Sequence, residues 1–402
     1  MIIEKYDNEA FPENEKVQSP ESNATLINEK YMKGETRLVT EQARYPLPTL
    51  KELFSKESTY ELQPDFQRRK GRWSIEKKSK LIESFIINVP VPPVFLYEVS
   101  FANYEVMDGL QRISTIIDYY NDEFELTGLD QWAELNGMKY SELPEKIKEG
   151  IDRRYLSSII LLNESASNPQ KAMQMKQLVF ERLNTGGETL SGQEIRNAIY
   201  NGKMNERCIK LSDNPIFKKL WGLKDNNATN VDKDPLYRNM GDVELVLRFF
   251  AMRFFDKFTG KLDIFLDTYL KNANLFPDET LDMLEKLFLR NISVAYELLD
   301  DKAFKIYKYR YTSLDWSSEA QRTIYDPMML ALTQLQLTDD EIKNANKDKL
   351  KQELQDFYSN HEADFDGKKQ SRSDIQHRTV LLYNFFSNYF NRDCLLYTSD
   401  AA

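Results

Sequence analysis

Apolar and polar positions along the chain recur with two different periods, and the switches between them mark out the elements. Ser74 stands where an N-cap belongs, and Ile75, Leu81, Ile82, Phe85 and Ile86 then share one helical face. Pro90-Val91-Pro92-Pro93 forces an extended entry into a strand, Val94-Phe95-Leu96-Tyr97-Glu98-Val99. A turn at Phe101-Ala102-Asn103 leads to a second strand that ends at Asp108. An amphipathic helix follows from Gln111 to about Tyr120. Thr49 reads as the cap of a short helix, Thr59 to Leu62 and Glu123 to Leu129 as short strands, and Tyr155 to Leu162 as a stronger one. Helices dominate afterwards: Pro169 to Leu183, Ser191 to Asn201, and most of Asp242 to Phe390.

This pattern predicts an α+β region followed by an all-α one. Residues 1–44 are polar and aperiodic, carry nine acids against six bases, and read as a poorly ordered arm. An ordered domain is expected over 45–205. The polar run from Lys224 to Pro235 reads as a boundary. Beyond it, Val243, Leu245, Val246, Leu247, Phe249 and Phe250 are too apolar for a surface helix and predict the core of a helical domain over 240–392. Residues 394–402 differ from what precedes them and read as a non-native tail.

Composition narrows the chemistry. With 402 residues, 41% hydrophobic and 29% charged, the chain is globular in character and long enough for two cores. No apolar run is long enough to cross a bilayer, and no signal-peptide order opens the chain. Cys208 and Cys394 show no metal-ligand spacing, so a cytoplasmic location is expected. His361 and His377 are too few for a histidine-metal nuclease centre or a zinc site, while a carboxylate-held Mg²⁺ stays open. The net charge of −10 disfavours non-specific nucleic-acid binding by the whole surface. Gln67 to Lys80 runs against that balance, with seven bases and one acid. Arg69, Lys70 and Arg72 are its candidates for DNA contact; a solvated helix face is the competing reading.

The stretch that carries most chemistry is Tyr104-Glu105-Val106-Met107-Asp108-Gly109-Leu110-Gln111-Arg112. A strand that feeds a helix through glycine presents backbone N–H groups to an anion. Arg112 sits in the first helical turn, where a cation opposes the dipole, and an anion beside it would settle the electrostatics. Gln67 and Arg68, upstream of Trp73, are further candidates to grip a phosphate. A second stretch runs from Phe180-Glu181-Arg182-Leu183-Asn184 to Ser191-Gly192-Gln193-Glu194-Ile195-Arg196-Asn197. Ser191 and Glu194 form a capping box by spacing. That motif leaves Asn184, Arg196 and Asn197 unexplained, and they read as a converging polar cluster; a Glu194–Arg196 surface pair is the plainer alternative. Glu181 is a weak candidate for orienting water.

Taken in series, Gln67-Arg68 with Trp73, Leu81-Ile82-Glu83-Ser84, Val91-Pro92-Pro93, Asp108-Gly109-x-Gln111-Arg112, Phe180-to-Asn184 and Leu190-to-Asn197 resemble the GmrS-like N-terminal domain of the GmrSD family of modification-dependent restriction systems. The resemblance runs from about Tyr45 to Tyr200. It implies a ParB/sulfiredoxin-like fold whose strand–Asp-Gly-x-Gln-Arg–helix element holds nucleotide phosphates, and NTP hydrolysis coupled to defence against modified phage DNA. By position, Asp108, Gln111 and Arg112 would be catalytic. Gln67, Arg68, Gly109, Asn184, Arg196 and Asn197 would bind nucleotide. Leu110 stands where relatives often carry Gln. Relatives that cut DNA carry a His-Asn-His nuclease domain; His377 has no second histidine near it in sequence, so the chain is expected to lack that nuclease or to depend on a separate nuclease subunit, unless the odd tail hides one. The expected function is therefore an NTP-binding and NTP-hydrolysing module, with NTP and Mg²⁺ as ligands and DNA as a partner. A non-catalytic DNA sensor on the same fold, or an interaction scaffold, remains the alternative.

Overall fold

The computed structural model describes residues 4–9, 28–29, 31–32, 38–54, 59–61, 73–162, 169–183, 191–224, 234–310, 313–365, 367 and 371–392. The chain divides into two units, one of Lys16–Ile199 and one of Met1–Glu15 with Tyr200–Ala402.

The first unit contains β1 (Thr40–Pro46), α1 (Leu50–Leu53), β2 (Tyr60–Glu61), α2 (Ile75–Ile86), β3 (Val94–Ser100), β4 (Asn103–Asp108), α3 (Leu110–Tyr120), α4 (Glu145–Asp152), β5 (Tyr155–Leu161), α5 (Pro169–Leu183) and α6 (Gly192–Ile199). The strands form one sheet in the order β1-β5-β3-β4-β2. β3 pairs antiparallel with β4 and parallel with β5, and β1 closes one edge antiparallel to β5. Alternation along β3 sends Val94 and Leu96 into the core, where α2 adds Leu81, Ile82 and Phe85 and α3 adds Ile113, Ile116 and Tyr119. Each such aliphatic or phenylalanine side chain contributes about 1.5–3 kcal/mol by leaving water. On α2 the Ser74 hydroxyl accepts from the Lys77 N–H at 3.3 Å, the cap that its position predicts.

Three local expectations change. β1 begins at Thr40, inside the stretch read as an arm. Thr49 caps nothing: its hydroxyl donates to Pro46 O at 2.8 Å, closing a single 3₁₀ turn before α1. Glu123 to Leu129 is no strand, because its backbone groups are satisfied elsewhere. Leu126 exchanges hydrogen bonds with Met138 O (3.1 Å) and the Gly137 N–H (2.7 Å), and the Thr127 N–H donates to Ser79 Oγ on α2 at 2.9 Å. The alternating Phe124, Leu126 and Leu129 are a loop's apolar plugs.

The second unit holds α7 (Lys203–Ser212), α8 (Pro215–Trp221), α9 (Pro235–Arg238), α10 (Gly241–Met252), α11 (Leu262–Ala273), α12 (Asp278–Leu299), β6 (Tyr307–Arg310), β7 (Ser313–Trp316), α13 (Arg322–Leu335), α14 (Asp339–Asn344), α15 (Lys347–Asn360) and α16 (Arg372–Tyr389). The expected all-α domain therefore contains a two-stranded hairpin, β6–β7, whose Tyr307 and Trp316 rings meet edge to face at 5.5 Å. Phe249 and Phe250 of α10 meet Phe288 of α12 at 5.4 and 5.9 Å in the centre, as the apolar run on α10 predicts. Two buried ion pairs join distant segments. Arg248 pairs with Asp326, and Arg253 pairs with Glu9, whose carboxylate also accepts from the Tyr269 hydroxyl at 2.8 Å. Residues 4–9 are thus built into this unit. Among the described residues no helix is long and apolar enough to cross a membrane.

Candidate phosphate-binding corner

β4 ends at Asp108, Gly109 turns the chain, and α3 starts at Leu110, one residue before the helix start that the sequence predicts. Gly109 has φ 97°, in the left-handed region. A Cβ built there would lie 2.3 Å from Val94 Cγ1 and 3.0 Å from Arg112 Nη2. Conformation and space both demand glycine. No side chain caps α3, which leaves its first-turn N–H groups without a side-chain acceptor. Leu110 turns into the core.

Arg112, in the first turn of α3, reaches back over the glycine. Its Nη2 donates to Asp108 Oδ2 at 2.6 Å and to Pro93 O at 3.3 Å. The anion that the cation needs at this helix end is supplied in part by Asp108. The pair is not sealed: the Arg112 side chain is 17% exposed and that of Asp108 39%. Arg112 Nε is buried without a hydrogen-bond partner among the described residues. Gln111, half-buried, makes no side-chain hydrogen bond among them.

The other predicted residues fall in different places. Gln67, Arg68, Arg69, Lys70, Arg72 and Asn184 lie outside the described residues, as does the Glu181 side chain. In the described part of the basic stretch, Lys78 pairs with Asp118 at 2.9 Å and Lys80 with Asp130 at 3.2 Å, while Lys77 lies over the Trp73 ring. These acids cancel part of its positive charge. Ser191 and Glu194 form the predicted capping box, at 2.8 and 3.1 Å. Arg196 and Asn197 are fully buried on α6, where Arg196 Nη1 donates to Gln193 Oε1 at 3.3 Å. The plainer reading, a surface Glu194–Arg196 pair, does not hold, since both residues are buried. Neither Arg196 nor Asn197 hydrogen-bonds to Asp108 or Arg112.

Sequence reasoning missed two arrangements. Glu83 is buried, and its Oε1 accepts from the Gln131 and Trp132 N–H groups at 2.8 and 3.0 Å, stapling the long loop onto α2. An acid flanked by apolar residues on a helix's inner face was the available signal. In the second unit, His377 does have a histidine near it in space. His361 Nδ1 and His377 Nε2 each lie 3.1 Å from one oxygen of Asp364. Burial pushes the Asp364 carboxyl up, but hydrogen bonds and charge from both imidazoles outweigh it and hold it below its ordinary value. Among the described residues no three such side chains are grouped to hold a metal ion.

The family comparison falls on the unit that holds this corner. The model of the GmrSD restriction endonuclease, N-terminal domain, matches residues 50–201. No curated protein and no solved structure matches the chain, so the ParB/sulfiredoxin-like description of the fold rests on the sequence resemblance. The β4–Gly109–α3 corner lies inside the matched segment, and residues 50–201 carry an N-terminal domain of the GmrSD restriction endonuclease family.

Proposed function

We propose that this domain binds and hydrolyses a nucleoside triphosphate as one module of a DNA-modification-dependent anti-phage restriction system. The observation that carries the reading is the Arg112 guanidinium. It is held over the Gly109 turn by Asp108 and Pro93, with Nε unspent and the side chain partly open to solvent beside an uncapped helix start. Fixed donors aimed at phosphate oxygens stabilise the charge that develops in phosphoryl transfer. A polyphosphate would share Arg112 with Asp108 and take the first-turn N–H groups of α3. Asp108 Oδ1, without a hydrogen-bond partner among the described residues, suits a Mg²⁺ held by one carboxylate and substrate phosphates. That ion would neutralise charge on the phosphates. Gln111, with its amide unengaged among the described residues, would orient water or a phosphate oxygen. DNA and a separate nuclease subunit are the partners this reading calls for.

The test is phosphate release from each NTP, with and without modified DNA, by the full chain and by Arg112→Ala. Turnover is expected to fall about 10²–10³-fold in the variant. Equal turnover in the two proteins would refute the site. Nucleotide binding without release in the unaltered chain would replace the enzyme with the non-catalytic sensor.

A further inference from the structure

The second unit contains a cavity of about 410 Å³. This lies within the range of small-molecule sites, which run from about 300 to 1,000 Å³. One wall is α12, with Met283, Leu287 and Val294; another is the end of α13 and the turn after it, with Leu332 and Leu337; Glu4 and Tyr6 of the N-terminal segment complete it. Two polar features of the lining are unspent. Asn291 is 3% exposed, donates its amide N–H to Thr333 Oγ1 at 2.6 Å, and leaves its carbonyl oxygen without a donor among the described residues. Lys286, exposed at the rim, makes no ion pair among the described residues.

The remaining charges of the lining are engaged. Arg290 donates to Asp339 Oδ1 at 3.2 Å and to Leu337 O at 2.5 Å, and Gln336 Nε2 holds Glu4 Oε2 at 3.3 Å. Among the described residues the cavity therefore offers apolar walls, one acceptor without a protein donor and one uncommitted cation. Asn291 Oδ1 is not among the buried unpaired atoms, so it is open to solvent, and a ligand N–H or O–H would replace water on it.

We propose that this cavity is a binding site for a small organic anion with an apolar body and an N–H or O–H donor. The donor meets Asn291 Oδ1, the body lies against Leu287, Val294 and Leu332, and the anionic group meets Lys286. The site is independent of the Arg112 corner. One wall is the segment that Arg253 ties down through Glu9 and Glu4 O, so the ligand also fastens residues 4–9.

Anilinonaphthalene sulfonate combines an N–H, apolar rings and an anion, and serves as the probe. Titration of the full chain followed by fluorescence is expected to saturate at one molecule per chain. Lys286→Glu is expected to weaken binding about tenfold, equivalent to about 1.4 kcal/mol. Lys343→Glu, a change of the same charge on exposed α14, is expected to leave it unchanged. Amide exchange of residues 4–9 should slow when the probe is bound. Non-saturating fluorescence, equal affinity in Lys286→Glu, an equal loss in Lys343→Glu, or unaltered exchange at residues 4–9 would each overturn the assignment.

Discussion

Arg112 and Arg253 are both arginines paired to a carboxylate, and both carry a buried Nε without a hydrogen-bond partner among the described residues. An unspent donor therefore does not by itself distinguish a binding site from a structural bond. Access does. The Arg253 and Glu9 side chains are both 0% exposed, and Tyr269 closes over the carboxylate, so no ligand can reach the guanidinium. The Arg112–Asp108 pair lies between a glycine turn and solvent, with part of each side chain uncovered. Desolvated charge in the first case fixes a chain segment; partly exposed charge in the second is what the proposed phosphate site requires.

This contrast is open to measurement. Arg253→Ala leaves Glu9 buried and unpaired, and is expected to cost about 3–5 kcal/mol in urea unfolding. Arg112→Ala, at an accessible pair, is expected to cost under about 1 kcal/mol while lowering turnover about 10²–10³-fold. Similar losses of stability in the two variants would erase the distinction. Gly109→Ala adds a methyl group to a left-handed residue already against Val94, and is expected to cost about 2–3 kcal/mol together with nucleotide binding. Intact binding in that variant would show that the turn is no cradle.

A pH-dependent effect sharpens the role of access. Glu341 is held down to about 2 by its hydrogen bonds with Arg392 and Thr338, against the upward push of burial. Its ordinary value is 4.5, so the lowered folded value stabilises the protein above about pH 4.5. That contribution disappears as pH falls toward 2. Arg392→Ala is expected to lose about 1–2 kcal/mol at pH 7, solvent screening included, with the deficit shrinking through this window. A deficit that stays constant from pH 7 to pH 2 would mean that the pair contributes nothing.

What the sequence made legible is local. The strand–glycine–helix passage, the Ser74 cap, the Ser191–Glu194 box and the apolar α10 depend on neighbours within a few positions, and the structure contains all of them. What stayed hidden depends on partners far along the chain. Arg253 and Glu9 are separated by 244 positions, with no periodic signal linking them. Glu83 reaches Trp132 across 49 positions, and His361 and His377 meet only through Asp364. The expected strand over Glu123 to Leu129 failed for the same reason: its alternation is real, but α2 and the 137–138 turn take up its backbone. Arg196 and Asn197 were picked out as polar residues without a local explanation, and burial on α6 is where the structure puts them.

The second unit draws on segments far apart in the sequence, residues 4–9 and those from Tyr200 onward, with the other unit encoded between them. A ribosome delivers Glu9 long before Arg253 exists, so the opening segment must wait while the intervening domain emerges. Removing the first nine residues would therefore leave a cation stranded some two hundred and forty positions downstream, and the damage would register in the later helices.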